Sequence, residues 1–279
     1  MRIERFTQPG PGSVNSFVVH AGEALLLVDG QRILSAGREF AALARSFDRP
    51  VAAIVLTHPH PDHFGGLAAV RDAFPDAPLL MSAATAAELR SDSRGYYAMT
   101  RQVFPTDSAE SLPEPNRLLT EGESLQIGSR SFTVREWGAG ESIAATTLHD
   151  EANGDLIAAD LVLNAMTPFL AEGQVLPWLD QLLSLEADYP PGTMAHAGHG
   201  APAPLETLIP WTRRYLHAVV GMVRERLGSA TRLGEADRSA VAAEIERLYP
   251  GLLPVAEIPG LITMNVDAVA SELAASSGP

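Results

Sequence analysis

The sequence contains no cysteine and no lysine. Without thiols there can be no disulfide, no thiolate metal site and no cysteine nucleophile. Any metal must therefore be held by imidazole and carboxylate. Without lysine every fixed positive charge is an arginine. Lys+Arg totals 20 against 34 for Asp+Glu, a formal net charge of −14. A surface that acidic repels phosphate backbones and anionic lipids, so neither nucleic acid nor a membrane surface is an expected partner. A small-molecule substrate is. Long apolar runs are also missing: nothing is long enough to span a bilayer. Residues 1–11 are polar and carry no targeting segment, which makes the cytoplasm the expected compartment. What the chain does have is 46% hydrophobic residues over 279 positions, with 19% charged and 6% aromatic. That composition fits a folded protein with a large core.

The apolar pattern alternates short strands with helices. Residues 14–20 and 24–29 read as a hairpin around Ala21-Gly22-Glu23, and 37–46 have helical spacing. Residues 51–56 read as a buried strand, 64–74 as a helix stopped by Pro75, and 79–81 as another strand. Ser82 is placed to cap a helix reaching Leu89. Residues 91–116 interrupt the rhythm with three prolines and read as an irregular insertion that either lines a pocket or packs as plain surface. Strands follow at 124–127, 131–137, 143–148 and 155–159, the last two flanking an Asn153-Gly154 turn. A helix at 175–189 and a short strand at 193–197 come next. Helices are expected at 205–227, 236–248 and 266–274. Hairpin and strand–helix units in both halves suggest two sheets with helices outside.

At the end of the buried strand stands Thr57-His58-Pro59-His60-Pro61-Asp62-His63, three histidines and one aspartate within six residues. Alternate residues of an extended stretch face the same way, so His58 and His60 can point at one ion. The chain must bend at Pro61, which lets Asp62 and His63 point at a neighbouring ion. Imidazole and carboxylate are donors that zinc, iron and manganese accept.

With Phe64-Gly65-Gly66 this segment resembles the His-x-His-x-Asp-His signature of the metallo-β-lactamase superfamily. The likeness covers residues 14 to about 202, and the hairpin ending in Asp29, the histidine loop, a glycine-rich loop, Ala158-Ala159-Asp160 and Gly198-His199-Gly200 stand in the family's order. The resemblance implies an α/β fold, an αββα sandwich, with two metals at the sheet edges. It divides the chain into a family domain at 1–203 and a C-terminal helical extension at 204–279 packed on it. It implies that Asp160 contacts both ions and that His199 joins Asp62 and His63 on the second. His196 is the rival to His199 but reads better as a core or supporting residue. His20, His149 and His217 have no motif support and read as structural or exposed.

One position departs from the family. Glu141, in Gly138-Ala139-Gly140-Glu141-Ser142, falls where the family has a third histidine for the first metal. It is either a carboxylate ligand or a bystander, and the ligand reading is preferred because two glycines aim it inward. Two divalent ions are thus expected, zinc first, with iron or manganese as the alternatives that Glu141 brings in. The activity implied is metal-dependent hydrolysis of an ester-, lactone- or thioester-like substrate, with Asp62 orienting the nucleophile. The alternatives are a diiron oxygenase or oxygen-binding protein, and a non-catalytic metal- or effector-binding module. Tyr96, Tyr97, Met99, Phe104, Met166, Phe169 and Trp178 are the candidate pocket residues; ordinary core is the competing reading of the same stripe. Either a monomer or a homodimer is compatible with the apolar face of Trp211, Tyr215, Leu216, Val219, Val220 and Val223.

Overall fold

Sequence neighbours Val18 and Val19, Leu26 and Leu27, Ile54 and Val55, and Leu79 and Leu80 are all buried. Adjacent residues on a strand point to opposite faces, so a sheet built from them must be covered on both sides. The computed structural model, which describes residues 2–276, shows what covers it. The first half of the chain runs β1 (Ile3–Thr7), β2 (Asn15–Ala21), β3 (Ala24–Val28), α1 (Leu34–Arg45), β4 (Val51–Val55), α2 (Pro61–Phe64), α3 (Leu67–Ala73), β5 (Leu79–Ser82), α4 (Ala83–Ser91), α5 (Tyr96–Val103) and β6 (Arg117–Leu119). Its six strands form one sheet in sequence order. The β3, β4, β5 and β6 strands run parallel.

The second half runs β7 (Ser124–Ile127), β8 (Arg130–Trp137), β9 (Ala145–Asp150), β10 (Asp155–Ala159), β11 (Met166–Thr167), α6 (Val175–Asp188), β12 (Met194–Ala197), β13 (Ala203–Pro204), α7 (Leu205–Leu227), α8 (Glu235–Leu248), β14 (Leu253–Pro254) and α9 (Leu261–Ser276). A second six-stranded sheet has the order β13-β12-β10-β9-β8-β7, and β11 pairs with β14 in a small third sheet. Phe17, Val19, Leu26 and Val55 of the first sheet meet Phe132, Val134, Leu148 and Ile157 of the second in one apolar layer. Val18, Leu27 and Ile54, on the opposite face, pack under Phe40 of α1 and Val70 of α3. Residues of α6, α7, α8 and α9 cover the outside of the second sheet. The architecture is therefore helix, sheet, sheet, helix, the αββα sandwich. Trp211 is partly buried against that last core, whose members include Tyr215, Leu216, Val219, Val220 and Val223.

Two local expectations are corrected, and one strand is added. The single helix at 64–74 is two, because the chain breaks at Gly65-Gly66. A Cβ on Gly66 would sit 2.3 Å from the Gly30 carbonyl, so this turn is a backbone-to-backbone contact that no longer side chain fits. Residues 91–116 are not wholly irregular, since α5 lies inside them. Its free N–H groups are capped by Asp92, whose carboxylate accepts from Tyr97 N at 2.9 Å and Ala98 N at 3.0 Å. The polar opening segment holds the edge strand β1, paired antiparallel to β2. Among the described residues no helix is long and apolar enough to cross a membrane.

Candidate metal centre

Parallel strands end on the same side, and each sheet delivers its polar residues from those ends. Following β4 come Thr57, His58 and His60; following β10 comes Asp160; following β12 comes His199. The loop between β8 and β9 adds Glu141. Pro61 opens the short helix α2, which turns Asp62 and His63 away from the line of His58 and His60.

Two groups of donors result. His58, His60, Glu141 and Asp160 each offer an atom within 4.8 Å of the others, and so do Asp62, His63 and His199. Asp160 Oδ2 lies between them, 3.7 Å from His58 Nε2, 3.5 Å from His63 Nε2 and 3.1 Å from His199 Nε2. Glu141 Oε1 is 3.3 Å from His60 Nδ1, and its Oε2 is 3.9 Å from His58 Nε2. Asp62 Oδ2 is 3.2 Å from His199 Nε2 and 3.9 Å from His63 Nε2. All seven residues expected from the sequence are thus brought together, Glu141 included.

The far side of each imidazole is held by protein. His63 Nδ1 shares a hydrogen bond with Asp29 Oδ2 at 2.8 Å, and His199 Nδ1–H donates to the Ser13 carbonyl at 2.6 Å. His58 Nδ1 meets Thr57 Oγ1 at 2.9 Å, while Thr57 itself donates to Asp29 from both its amide and its hydroxyl. His60 Nε2 faces Glu172 Oε1 at 3.2 Å. Such partners fix the tautomer and ring orientation of a metal-binding histidine. They leave His58 Nε2, His63 Nε2 and Asp160 Oδ1 buried with no hydrogen-bond partner in the protein. A buried polar atom without a partner is costly. These inward-facing imidazole and carboxylate atoms fit divalent cations.

Two glycines shape the centre. A Cβ on Gly198 would fall 1.9 Å from Asp160 Oδ1 and 2.7 Å from His63 Cε1, and one on Gly140 would fall 2.0 Å from Gln181 Oε1. Gln181, on α6, donates to the carbonyls of Gly138 and Ala139, so the loop that presents Glu141 is pinned from behind.

Charge and burial set the proton affinities. Burial lowers the basicity of His58, and the neighbouring His63 lowers it further. His60 and His63 are also desolvated, but the adjacent carboxylates outweigh that and raise both. His199 rises to about 10 for the same reason, with Asp160 its main partner. Burial pushes Glu141 up to about 7 despite the favourable His60. Asp62 is held well below the usual carboxylate range, because His63 and His199 overcome its desolvation.

Glu172 and Asp29 are the supporting residues that sequence reasoning missed as such. Glu172 is buried, accepts from Tyr96 Oη at 2.8 Å, and faces Arg94 at 3.3 Å. It stands 112 residues from His60 with no motif around it. Asp29 ends the first hairpin at φ 62°, and that break after an apolar strand was the available signal.

A cavity of about 480 Å³ opens over the donors and includes His60, Asp62, Glu141, Asp160 and His199 in its wall. Of the expected pocket residues, Tyr96, Met99, Phe104 and Phe169 line it. Tyr97, Met166 and Trp178 do not. Tyr97 is one helical step from Tyr96 and turns its hydroxyl to the Ala109 carbonyl. Met166 lies in the β11–β14 pair, and Trp178 is sunk in the core with its Nε1–H on the Leu161 carbonyl. His196 pairs with Asp155 at 2.8 Å instead of joining the donors. The rings of His20 and His149 pack against Phe47 and Tyr189, and His217 is exposed.

The model of the metallo-beta-lactamase superfamily matches residues 9–205. This chain belongs to that superfamily. A probable metallo-hydrolase of Streptococcus pyogenes is 39% identical over 77 residues, 28% of this chain and 32% of that protein. An acyl-coenzyme A thioesterase of Gallus gallus is 30% identical over 198 residues, 63% of this chain and 64% of that protein. The chain thus matches about a third of the first and just under two thirds of the second. A beta-lactamase domain protein from Burkholderia ambifaria shares the fold, with a TM-score of 0.71 at 19% identity over 98% of this chain and 86% of that one.

Proposed function

We propose that the protein is a dinuclear metal-dependent hydrolase acting on small ester-, lactone- or thioester-like acyl compounds. One observation carries the reading: seven buried or half-buried donors in two groups share the Asp160 carboxylate at the floor of a single cavity. The thioesterase named among the relatives supports the acyl class. Three carboxylates, Asp62, Asp160 and Glu141, offset most of the charge of two divalent ions, zinc first and iron or manganese as alternatives.

Bound ions would acidify a water and polarise the acyl carbonyl. The chain's own groups do the rest. His58, His60, His63 and His199 are locked by their outer partners, so little reorganisation opposes the reaction. The Asp62 side chain is 17% exposed, against 5% or less for Glu141 and Asp160. It is the most exposed of the three carboxylates and lines the cavity, so we assign it to orient the attacking water. That water adds to the carbonyl carbon, the bond from carbon to the leaving oxygen or sulfur breaks, and the leaving atom takes up the proton that water gave to the Asp62 carboxylate. Tyr96 is no base here: burial and Glu172 push its pKa up, and its proton is committed to Glu172.

The test is metal analysis of the purified protein, with hydrolysis of acyl thioesters, aryl esters, lactones and phosphodiesters before and after chelation. Bound transition metal with chelator-sensitive acyl hydrolysis is expected. A protein that takes up no metal and cleaves none of these overturns the reading. Glu141 sustains one other reading, oxygen chemistry at a diiron pair, because a third carboxylate suits a harder ion. Stoichiometric iron with a visible oxo-bridge band would favour it, and colourless zinc protein would exclude it.

A further inference from the structure

Beyond the donors, the cavity is walled almost entirely by carbon. One side is α5, which presents Tyr96, Met99 and Val103, with Phe104 just past its end. The wall also includes Ile258 and Met264, which lie past residue 205, where the family match ends. The polar groups on the α5 wall are already used. Tyr96 Oη donates to Glu172, and Thr100 Oγ1 donates to the Tyr96 carbonyl at 2.8 Å. Among the described residues that line the cavity, the fixed cation is Arg32, and it is paired with Glu257 at 2.9 Å.

A substrate portion lying along the α5 wall would find few polar partners above the metal donors. Polar groups of a sugar, peptide or phosphate that lay against this wall would give up hydrogen bonds to water without replacement, at a cost of about 1–3 kcal/mol for each group. Hydrocarbon loses nothing of this kind and gains by leaving water. Met99 is 40% exposed and Val103 59%, and both stand at the cavity. Exposed apolar side chains grouped around a cavity mark a surface meant to be covered.

We infer that the α5 wall and the 255–264 segment form a pocket for an unbranched medium-chain acyl group, which fixes the chain-length preference of the enzyme. This rests on the acyl-hydrolase reading above and names its substrate class. At roughly 30 Å³ per non-hydrogen atom, the share of one water in the liquid, a cavity of about 480 Å³ has room for about sixteen such atoms. With the bound ions, the attacking water, the carbonyl oxygen, and the leaving atom and its first neighbours taking about half of these places, an acyl tail of about eight carbons fills the rest.

The inference is tested by binding and by kinetics on the full-length, metal-loaded protein. Calorimetric titration with the fatty acids from acetate to decanoate keeps the carboxylate constant and varies only the tail. Each methylene that enters the cavity should tighten binding about fourfold, until the cavity is filled near eight carbons. The kcat/KM values for acyl thioesters of the same lengths should rise in parallel. Met99→Gln and Ile258→Glu, each checked for folding by circular dichroism and melting temperature, should both flatten the slope. A flat series in the parent protein, or a slope that survives both variants, overturns the pocket. If thioesters are hydrolysed with no chain-length dependence and fatty acids bind without a slope, the pocket fails and the hydrolase reading stands. If the acids bind with the expected slope but no acyl compound is cleaved, the hydrolase reading fails and the pocket stands.

Discussion

His60 is held between two carboxylates, with Glu141 on its Nδ1 side and Glu172 on its Nε2 side. Only one of them can share a bound ion with it; the other fixes the ring. Glu172→Gln keeps the shape but lowers the pull on the Nε2 proton, and it should cost about 10–100-fold in metal affinity, read by competition with a chelating dye. Glu172→Ala should cost more. Gly198 offers a second single-residue test. Alanine there collides with Asp160 Oδ1, so Gly198→Ala should lower the bound metal per folded chain in elemental analysis, with folding checked by circular dichroism. At Glu141 the issue is charge. A carboxylate leaves less net positive charge than an imidazole and raises the pKa of a bound water. Glu141→His should therefore move the acidic limb of the kcat/KM profile to lower pH, and a limb that stays put would mean Glu141 is a bystander.

Elements carry these residues, and one joint between elements is open to a direct test. Asn265 of α9 is buried; its Oδ1 accepts from Leu170 N at 2.7 Å, and its Nδ2 donates to the Pro168 carbonyl at 2.8 Å. It ties down the turn that holds Phe169, whose ring stands edge-on to His60 at 5.5 Å. Asn265→Ala leaves two buried backbone groups unpaired and should cost about 1–3 kcal/mol, measured by denaturant unfolding, with faster proteolysis near residue 169. Elements such as this helix were legible in the sequence because their apolar spacing is regular: 205–227 is an uninterrupted helix there and in the structure. The α5 helix was not legible, since its cap, Asp92, sits four residues before Tyr96 in a stretch crowded with prolines and aromatics. The donor residues were readable because metal chemistry restricts both residue type and spacing. The supporting residue Glu172 was not, because a hydrogen bond formed by tertiary packing leaves no local pattern. The pocket was half readable: apolar residues for a cavity and for a core look alike until the fold decides which face is covered, as with Tyr96 and Tyr97.

For the whole molecule, protons and metal compete for the same cluster. His60, His63 and His199 have raised pKa values, so without metal they hold protons at neutral pH. For His199 the sign is clear. Its proton-linked stability is complete below the unfolded imidazole pKa of about 6.5 and is lost as pH rises through about 10. Metal binding must expel these protons, so adding Zn²⁺ to chelator-stripped protein at pH 7 should release more than one proton per chain in a pH-stat. Metal at 100 times its dissociation constant should add about 2.7 kcal/mol of stability, visible as a higher melting temperature than in chelator.

The hydrogen bond from His199 to the Ser13 carbonyl joins positions 186 residues apart. Asn15 reinforces it, its side chain donating to the carbonyls of Ala197 and Gly200. The final donor is therefore braced by the start of the chain. During synthesis the nascent polypeptide cannot complete the second donor group until residue 199 has left the ribosome and folded back onto residues 13–15. A chain stalled before that point should leave the tunnel with its first donor group in hand and its second still open.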